Sequence, residues 1–298
     1  MRVLIVGCGY VGLPLGRELA KLGHEVFGLR RSASADAELR AAGLTPLHAD
    51  ITRPETLSQL PKQLDWVVNC TASGGGAPED YRRVYLEGTR NLLAGLASAP
   101  PRKFVSTSST SVYAQDDGSW VTETSPAEPL AETGRVLVAT EQELLEAWRQ
   151  RAFPAVILRV AGIYGPERGF YFRSLLRGEA RIEGEGGRFV NMIHRDDVAG
   201  AILAALARGQ PGAVYNVCDD EPVELRGLYR WLAEKLKLPM PPSVPADPEA
   251  FRKRGLTNKR ISNRRLRAEL GWSPQFPSFR EGYAPKIARL AGMSAASS

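Results

Sequence analysis

The stretch Val3-Leu-Ile-Val-Gly-Cys-Gly-Tyr-Val-Gly-Leu-Pro-Leu-Gly16 leaves this chain few folds to choose from. Residues 3–6 form a short, fully apolar run, the pattern of a strand covered on both faces. Gly7, Gly9 and Gly12 follow as G-x-G-x-x-G, and Val11, Leu15, Leu19 and Leu22 then recur at helical spacing. A strand, a glycine turn and a helix in that order can seat a pyrophosphate. Gly7 makes the tight turn, Gly9 lets the backbone approach the anion, and Gly12 lets the helix pack on the strand. The helix start adds free N–H groups and a positive dipole end. A glycine turn without a ligand is the competing reading, and the flanking strand and helix count against it. The strand starts at residue 3, so no leader is expected ahead of it.

A second strand is expected over 25–29. An NAD-binding unit closes this strand with Asp or Glu, which accepts from the ribose 2′-hydroxyl. Here Arg30, Arg31 and Ser32 stand there instead. A guanidinium binds a 2′-phosphate bidentately where a carboxylate would repel it. The residues therefore predict NADP in preference to NAD, against the alternative of two solvated arginines after a strand.

With 298 residues the chain can bury one large α/β core plus a smaller lobe. No apolar run approaches the ~18 residues of a membrane span, and 199–207 reads as a buried helix. Cys8, Cys70 and Cys218 fit neither a disulfide framework nor a metal site, and His24, His48 and His194 are equally scattered. A reducing, cytoplasmic location with no metal is expected. The net charge of +6 is concentrated in one place. Arg252, Lys253, Arg254, Lys259, Arg260, Arg264, Arg265 and Arg267 occur without an acidic residue among them, so the rest of the chain is slightly acidic. No aromatics interleave these charges, so the patch predicts a small anionic ligand and no nucleic acid.

Further strands are expected over 44–50, 66–72 and from Lys103 into the hydroxyl-rich Ser106-Thr-Ser-Ser-Thr-Ser111, with a Ser73-Gly-Gly-Gly76 loop after the fourth and a helix around 86–96. Asp50 either accepts from an adenine amino group or caps the 54–60 segment. Along the chain come the glycine turn, Asp50-Ile51, Gly88-Thr-Arg-Asn-Leu-Leu93, Ser108-Ser-Thr-Ser-Val-Tyr113 and Thr122-Glu123. Then follow Leu158-Arg-Val-Ala-Gly-Ile-Tyr-Gly-Pro166, Ile193-His-Arg-Asp-Asp-Val198, Val214-Tyr-Asn-Val217, Lys259-Arg-Ile-Ser-Asn263 and Leu270-Gly-Trp272. This succession resembles the extended short-chain dehydrogenase/reductases, and within them the NAD-dependent epimerase/dehydratase family, over nearly the whole chain. The resemblance implies a Rossmann-type doubly wound parallel sheet with a smaller C-terminal substrate lobe. The nucleotide domain is expected over 1–165 with strand and helix returns from later chain. The lobe would occupy mainly 166–290, with Pro-rich loops at 239–242 and 245–248, and a disordered tail 291–298. Around the cofactor the resemblance places Gly7, Gly9, Tyr10, Val11 and Gly12, then Arg30, Arg31, Ser32, Asp50 and Ile51. Thr71, Ala72, Thr107 and Val160 complete that set.

The family pairs a Ser or Thr with Tyr-x-x-x-Lys on one helix face, where Lys lowers the pKa of the proton-transferring Tyr. Ser109, four residues before Tyr113, takes the Ser position. On the helix expected over 133–145 the family's Glu aligns with Glu141, which puts Thr133 at the Tyr position and Leu137 at the Lys position. Neither does that chemistry, which resembles atypical members lacking the Tyr. Leu137 shares a face with Thr140, Leu144 and Trp148 and is expected to pack. Tyr113, Tyr164 and Arg135 are the available substitutes. Two readings follow. One is an NADP-dependent oxidoreductase or epimerase-like enzyme on a nucleotide sugar or another small hydroxyl or carbonyl compound, supported by Ser109 and the motifs around Arg159, His194 and Asp197. The other is an inactive NADP-binding sensor or partner module. Helices near Leu92 and Trp148 pair protomers in the family, so a homodimer is a further expectation.

Overall fold

The computed structural model describes residues 1–74, 76–245 and 257–295. Seven parallel strands form its centre: β1 (Arg2–Val6), β2 (Glu25–Arg30), β3 (Thr45–His48), β4 (Trp66–Asn69), β5 (Lys103–Ser109), β6 (Ala155–Val160) and β7 (Val214–Val217). Their spatial order is β7-β6-β5-β4-β1-β2-β3. The order reverses between β1 and β4, which opens a crevice at the carboxyl ends of those two strands. β1 and β6 are buried along almost their whole length, as apolar strands with helices on both faces must be.

Nine helices are used below: α1 (Gly12–Lys21), α2 (Asp36–Ala41), α3 (Gly88–Gly95), α4 (Glu132–Arg151), α5 (Phe170–Leu176), α6 (Arg195–Arg208), α7 (Leu225–Leu236), α8 (Arg264–Leu270) and α9 (Phe279–Ala295). Leu15 and Leu19 of α1 and Ile202 and Ala205 of α6 share one core with β1 and β6. On the opposite sheet face Leu92 and Leu93 of α3 pack with Leu144 and Ala147 of α4. A third core joins Phe172 and Leu175 of α5, Leu228 and Leu232 of α7, and Phe279 and Tyr283 of α9. That cluster is the smaller lobe. Chain beyond residue 165 returns twice to the sheet, as β7 and as α6.

Some expected boundaries move. The third strand spans four residues, because Asp50 turns the chain back on itself. The helix expected near 86 begins earlier, as one turn at Pro78–Tyr81 and a π-helical stretch Arg82–Glu87 leading into α3. The disordered tail is corrected at its start: α9 runs on to Ala295, continuing through helix-favouring Ala291 and Met293. Residues 296–298, Gly75, and 246–256 with most of the second Pro-rich loop and Arg252, Lys253 and Arg254 lie outside the described residues.

Candidate active site

The glycine turn fits a phosphate by what surrounds each Cα. Gly7 has φ +79°, and a Cβ there would lie 2.7 Å from the Thr71 backbone, so only glycine lets β1 and β4 diverge this closely. Gly7 and Cys8 donate their N–H groups to the Leu29 carbonyl, which locks the turn to β2. A Cβ on Gly12 would press on the Gly7 carbonyl and Ile5 at 2.9 Å, so that glycine serves the packing of α1. Gly9 is different. A Cβ there would meet only the Gly7 oxygen, at 3.9 Å, so open space faces it where α1 begins. Burial pushes the Cys8 thiol up to about 12, and Cys70 is raised by burial as well, so these two thiols are packing groups.

Arg30, Arg31 and Ser32 leave the end of β2 beside this turn. Arg30 folds back, donating Nε to the Cys8 carbonyl and placing Nη2 3.4 Å from Glu38. Arg31 is exposed and, among the described residues, makes no hydrogen bond or ion pair. Ser32 is exposed and shares a hydrogen bond with Ser34 at 2.9 Å. Asp50 spends its carboxylate on Thr52, accepting from the Thr52 amide at 2.9 Å and its hydroxyl at 2.8 Å. Against the effect of burial, those two bonds hold Asp50 below the usual carboxylate range. This is an Asx turn, and the 54–59 segment has no side-chain cap, so the capping role expected for Asp50 is corrected. Ile51 packs its side chain against Gly88, where a Cβ would come within 2.6 Å.

The next carboxyl ends gather hydroxyls. Thr71 Oγ1 donates to Asn69 Oδ1 at 2.9 Å and Thr107 Oγ1 to the Asn69 carbonyl at 3.3 Å. Ala72 is exposed at the rim, whereas Val160 buries its side chain at the end of β6. Ser109 ends β5, and its Oγ accepts from the Ser111 amide at 3.2 Å, capping the following turn. The start of α4 lies against this strand end: a Cβ on Gly134 would sit 3.2 Å from the Ser111 carbonyl. Thr133 and Leu137 are 4% and 3% exposed, and Leu137 belongs to the core shared with β6. Leu144 faces the other core and Trp148 is partly exposed, so the expected four-residue stripe does not act as one face.

Glu141 is occupied by structure. Arg159 Nη2 reaches its Oε2 at 2.7 Å, Arg159 Nε lies 3.1 Å from the same oxygen, and Ser108 donates to Oε1 at 2.5 Å. Arg159 Nη1 donates to the Tyr113 hydroxyl, which donates in turn to Asn216 Oδ1, both at 2.8 Å. Burial works against the Arg159 charge, but the bonds to Glu141 outweigh it and hold its pKa above the usual range. Burial raises Tyr113, which the network holds as a neutral donor. Tyr113 is therefore not the replacement acid, and neither is Tyr164, whose hydroxyl is buried and donates to the Ser278 carbonyl. Arg135 reaches back to the Pro129 carbonyl at 3.4 Å.

The motifs taken as marks of a substrate site turn out to hold the chain together. His194 caps α6, its Nδ1 accepting from the Asp196 amide at 3.3 Å, and burial lowers its pKa. Asp197 accepts from the Gln275 and Phe276 amides at 2.6 and 3.1 Å, with burial pushing its carboxyl up to about 6. The described part of the basic stretch divides between inward and exposed cations. Lys259 is buried and donates to the Tyr113 carbonyl at 2.9 Å and Thr257 Oγ1 at 2.7 Å. Arg260 lies against Trp120 and Phe189, Arg265 pairs with Glu269, and Arg267 pairs with Asp220. Arg264 and Arg265 line an open hollow of about 490 Å³ beside Trp120, away from the glycine turn. A charge run in sequence does not reveal which members fold inward.

Two site features were missed. The π-helical stretch aims Tyr85 at the crevice, where its hydroxyl accepts from the Ser73 amide at 3.4 Å. Tyr85 also lines a small cavity with Thr107, Ser108, Leu137 and Glu141. The close pair Tyr81 and Tyr85, one turn apart before Gly88, was the signal available. The second is the contact of Tyr10, already expected at the cofactor, with chain more than 150 residues away. Among the described residues no group of three His, Cys, Asp or Glu is placed to hold a metal, and no helix is long and apolar enough to cross a membrane.

Known proteins share this architecture. The model of the NAD dependent epimerase/dehydratase family matches residues 3–218. Protein YeeZ of Escherichia coli K12 is 32% identical over 290 residues, covering 93% of this chain and 96% of that protein. The 3-diazoavenalumate denitrifying reductase of a Streptomyces species is 31% identical, covering 95% and 99% of the two chains. The solved structure of DesIV, a dTDP-glucose 4,6-dehydratase from Streptomyces venezuelae with NAD and TYD bound, superposes with a TM-score of 0.84 at 23% identity, over 98% of this chain and 97% of that one. With its glycine turn, seven-stranded sheet and smaller lobe, this chain belongs to the NAD dependent epimerase/dehydratase family.

Proposed function

We propose that the protein is a cytoplasmic NADP-dependent oxidoreductase that reduces a small carbonyl compound to its hydroxyl form, working without the family's Tyr–Lys pair. The observation that carries this is the contrast at one crevice: the dinucleotide edge is open at Gly9 and cationic at Arg31, while Leu137 at the Lys position is buried in the core. Gly9 and the start of α1 would hold the pyrophosphate, Arg31, Ser32 and Arg30 the 2′-phosphate, and Thr71 and Thr107 would flank the crevice. The bound cofactor supplies or accepts a hydride. Ser109 Oγ, held at the end of β5 beside the start of α4, orients the substrate oxygen by donating to it. Thr133 does not ionise near neutral pH, so the proton comes from elsewhere, and Tyr85 is the phenol that shares a cavity wall with Leu137 and Ser108. The full-length similarity to a reductase supports the direction of transfer. Lys259, turned inward to the Tyr113 carbonyl, and Arg265 and Arg267, paired with Glu269 and Asp220, leave fewer free cations for a sugar-nucleotide diphosphate there.

Calorimetric titration of the purified protein tests the reading. NADP should bind more tightly than NAD, and Arg31→Ala should cost NADP about tenfold or more while leaving NAD nearly unchanged. Equal dissociation constants in the parent would overturn the preference. Buried Thr133 and Leu137 equally favour a second reading, a dinucleotide-binding module without turnover. Ser109→Ala separates the two, since it should abolish carbonyl reduction by NADPH in an enzyme and leave cofactor affinity in place.

A further inference from the structure

After β6 the chain crosses to the glycine turn and carries cations with it. Gly165-Pro-Glu-Arg168 is a tight turn in which the Arg168 amide donates to the Gly165 carbonyl at 3.2 Å. Glu167 occupies its third position at φ +62°, where glycine is usual. Tyr10, inside G-x-G-x-x-G, donates its hydroxyl to the Pro166 carbonyl at 2.8 Å. The approach is close enough that a Cβ on Gly165 would lie 3.1 Å from that hydroxyl and 3.3 Å from Arg195 Cβ. Two guanidinium groups then converge on one ring, Arg168 at 4.1 Å from its centroid and Arg195 at 5.2 Å. Arg195 is partly neutralised, with Nε 2.8 Å from Asp196 Oδ1. Among the described residues the Arg168 guanidinium makes no hydrogen bond and no ion pair. Its backbone is fixed by Lys286, which donates to the Arg168 carbonyl at 3.3 Å.

Asp196 already answers Arg195, and the Glu167 carboxylate acts on Tyr10 too, so Arg168 is the cation that, among the described residues, is held without an ion pair of its own over a phosphate-turn residue. Helix α1, ten residues long, starts next to that residue and presents the same sign of potential. We propose that Arg168, seated on Tyr10 and assisted by Arg195, binds the dinucleotide pyrophosphate from the lobe side, with the segment 165–168 already held against the glycine turn. This rests on the cofactor reading above. It adds what that reading lacks, a cation brought to the phosphate turn from the lobe side.

Competition titrations with NADPH fluorescence test it, using 2′-phospho-ADP-ribose, which carries the pyrophosphate, and adenosine 2′-monophosphate, which does not. Arg168→Ala should weaken NADPH and 2′-phospho-ADP-ribose about tenfold or more, the loss of one charge-assisted contact. Adenosine 2′-monophosphate should change by less than about twofold, as for an independent site. Arg168→Lys should fall between, and Tyr10→Leu, which removes the seat and keeps both cations, should show the same pattern in weaker form. Arg168 is exposed, so melting temperatures should match the parent and confirm that each variant folds. Unchanged NADPH affinity in Arg168→Ala, or an equal loss on both probes, would overturn the inference. If the parent itself binds neither NADPH nor its fragments, it is the proposed function that fails.

Discussion

Glu141 stands where the resemblance places the family's Glu, and the structure ties it into an ion pair whose worth can be measured. Its carboxylate is 3% exposed and faces Arg159, 7% exposed, in a near-bidentate pair, with Ser108 as a third donor. Glu141→Ala would leave a buried guanidinium with only the Tyr113 hydroxyl as partner. Removing one member of a buried pair costs about 3–5 kcal/mol. For chains of a few hundred residues each kcal/mol moves Tm by roughly 2–4 °C, so Tm should fall by roughly 6–20 °C. Because the pair joins α4 to β6, the near-ultraviolet circular dichroism should melt with it. The double change Glu141→Leu, Arg159→Met should recover much of the loss, since two apolar side chains leave no uncompensated charge. The measurement is calorimetric melting of the parent, both single variants and the double variant. A Glu141→Ala protein that melts within about 2 °C of the parent, under ~1 kcal/mol, yet loses turnover would refute the structural account and move Glu141 into the chemistry.

Three further outcomes are expected. Gly9→Val should abolish NADP binding while leaving Tm near the parent value, because a Cβ there meets only the Gly7 oxygen, at 3.9 Å; retained affinity in a calorimetric titration would mean the turn holds no phosphate. Burial, with some help from the Arg188 charge, lowers Lys259 to about 8, against about 10.4 in the unfolded chain. Below pH 8 both states hold the proton; between pH 8 and about 10.4 the unfolded chain binds more protons, so this group makes stability rise with pH. Urea midpoints of Lys259→Met should lack that rise, and parallel profiles would contradict the burial argument. For the missing pair, Thr133→Tyr alone and Leu137→Lys alone should each lower Tm, the second by placing a charge in the core, and neither should create NADP-dependent turnover on sugar nucleotides. Activity from either single change, assayed by absorbance at the nicotinamide band, would show that a partner for it already lies within reach.

The parts of this molecule written locally were legible. The apolar run before Gly7 and the helical spacing after Gly12 determine β1, the turn and α1 through neighbours in sequence, and so did the hydroxyl-rich end of β5 that places Ser109. What escaped depends on residues far apart. Asn216 meets Tyr113 across 103 residues, and Tyr10 meets Pro166 across 156. No periodicity in either segment announces such a pairing. Lys259 sits in a run of cations that reads as a patch for a small anion, but it reaches inward to the Tyr113 carbonyl. Asp50 was readable as a turn-former only once Thr52 was seen to donate to it twice. His194 caps α6 and Asp197 pins the 275–276 amides, so their presence by itself says little about chemistry.

The placement of β7 has a consequence for how the protein is made. β6 is buried throughout and pairs on one side with β5 and on the other only with β7, which lies beyond α5 and α6 in the chain. On the ribosome, synthesis proceeds at ~5–20 residues per second, so roughly 3–11 s separate the end of β6 from the end of β7. During that interval the growing chain carries an apolar strand with an unpaired edge, the kind that recruits other strands. A fragment ending at residue 165 would keep that edge permanently. It should therefore aggregate where the full chain does not, and slowing translation within 161–217 should lower the yield of native protein more than the same delay placed after residue 217.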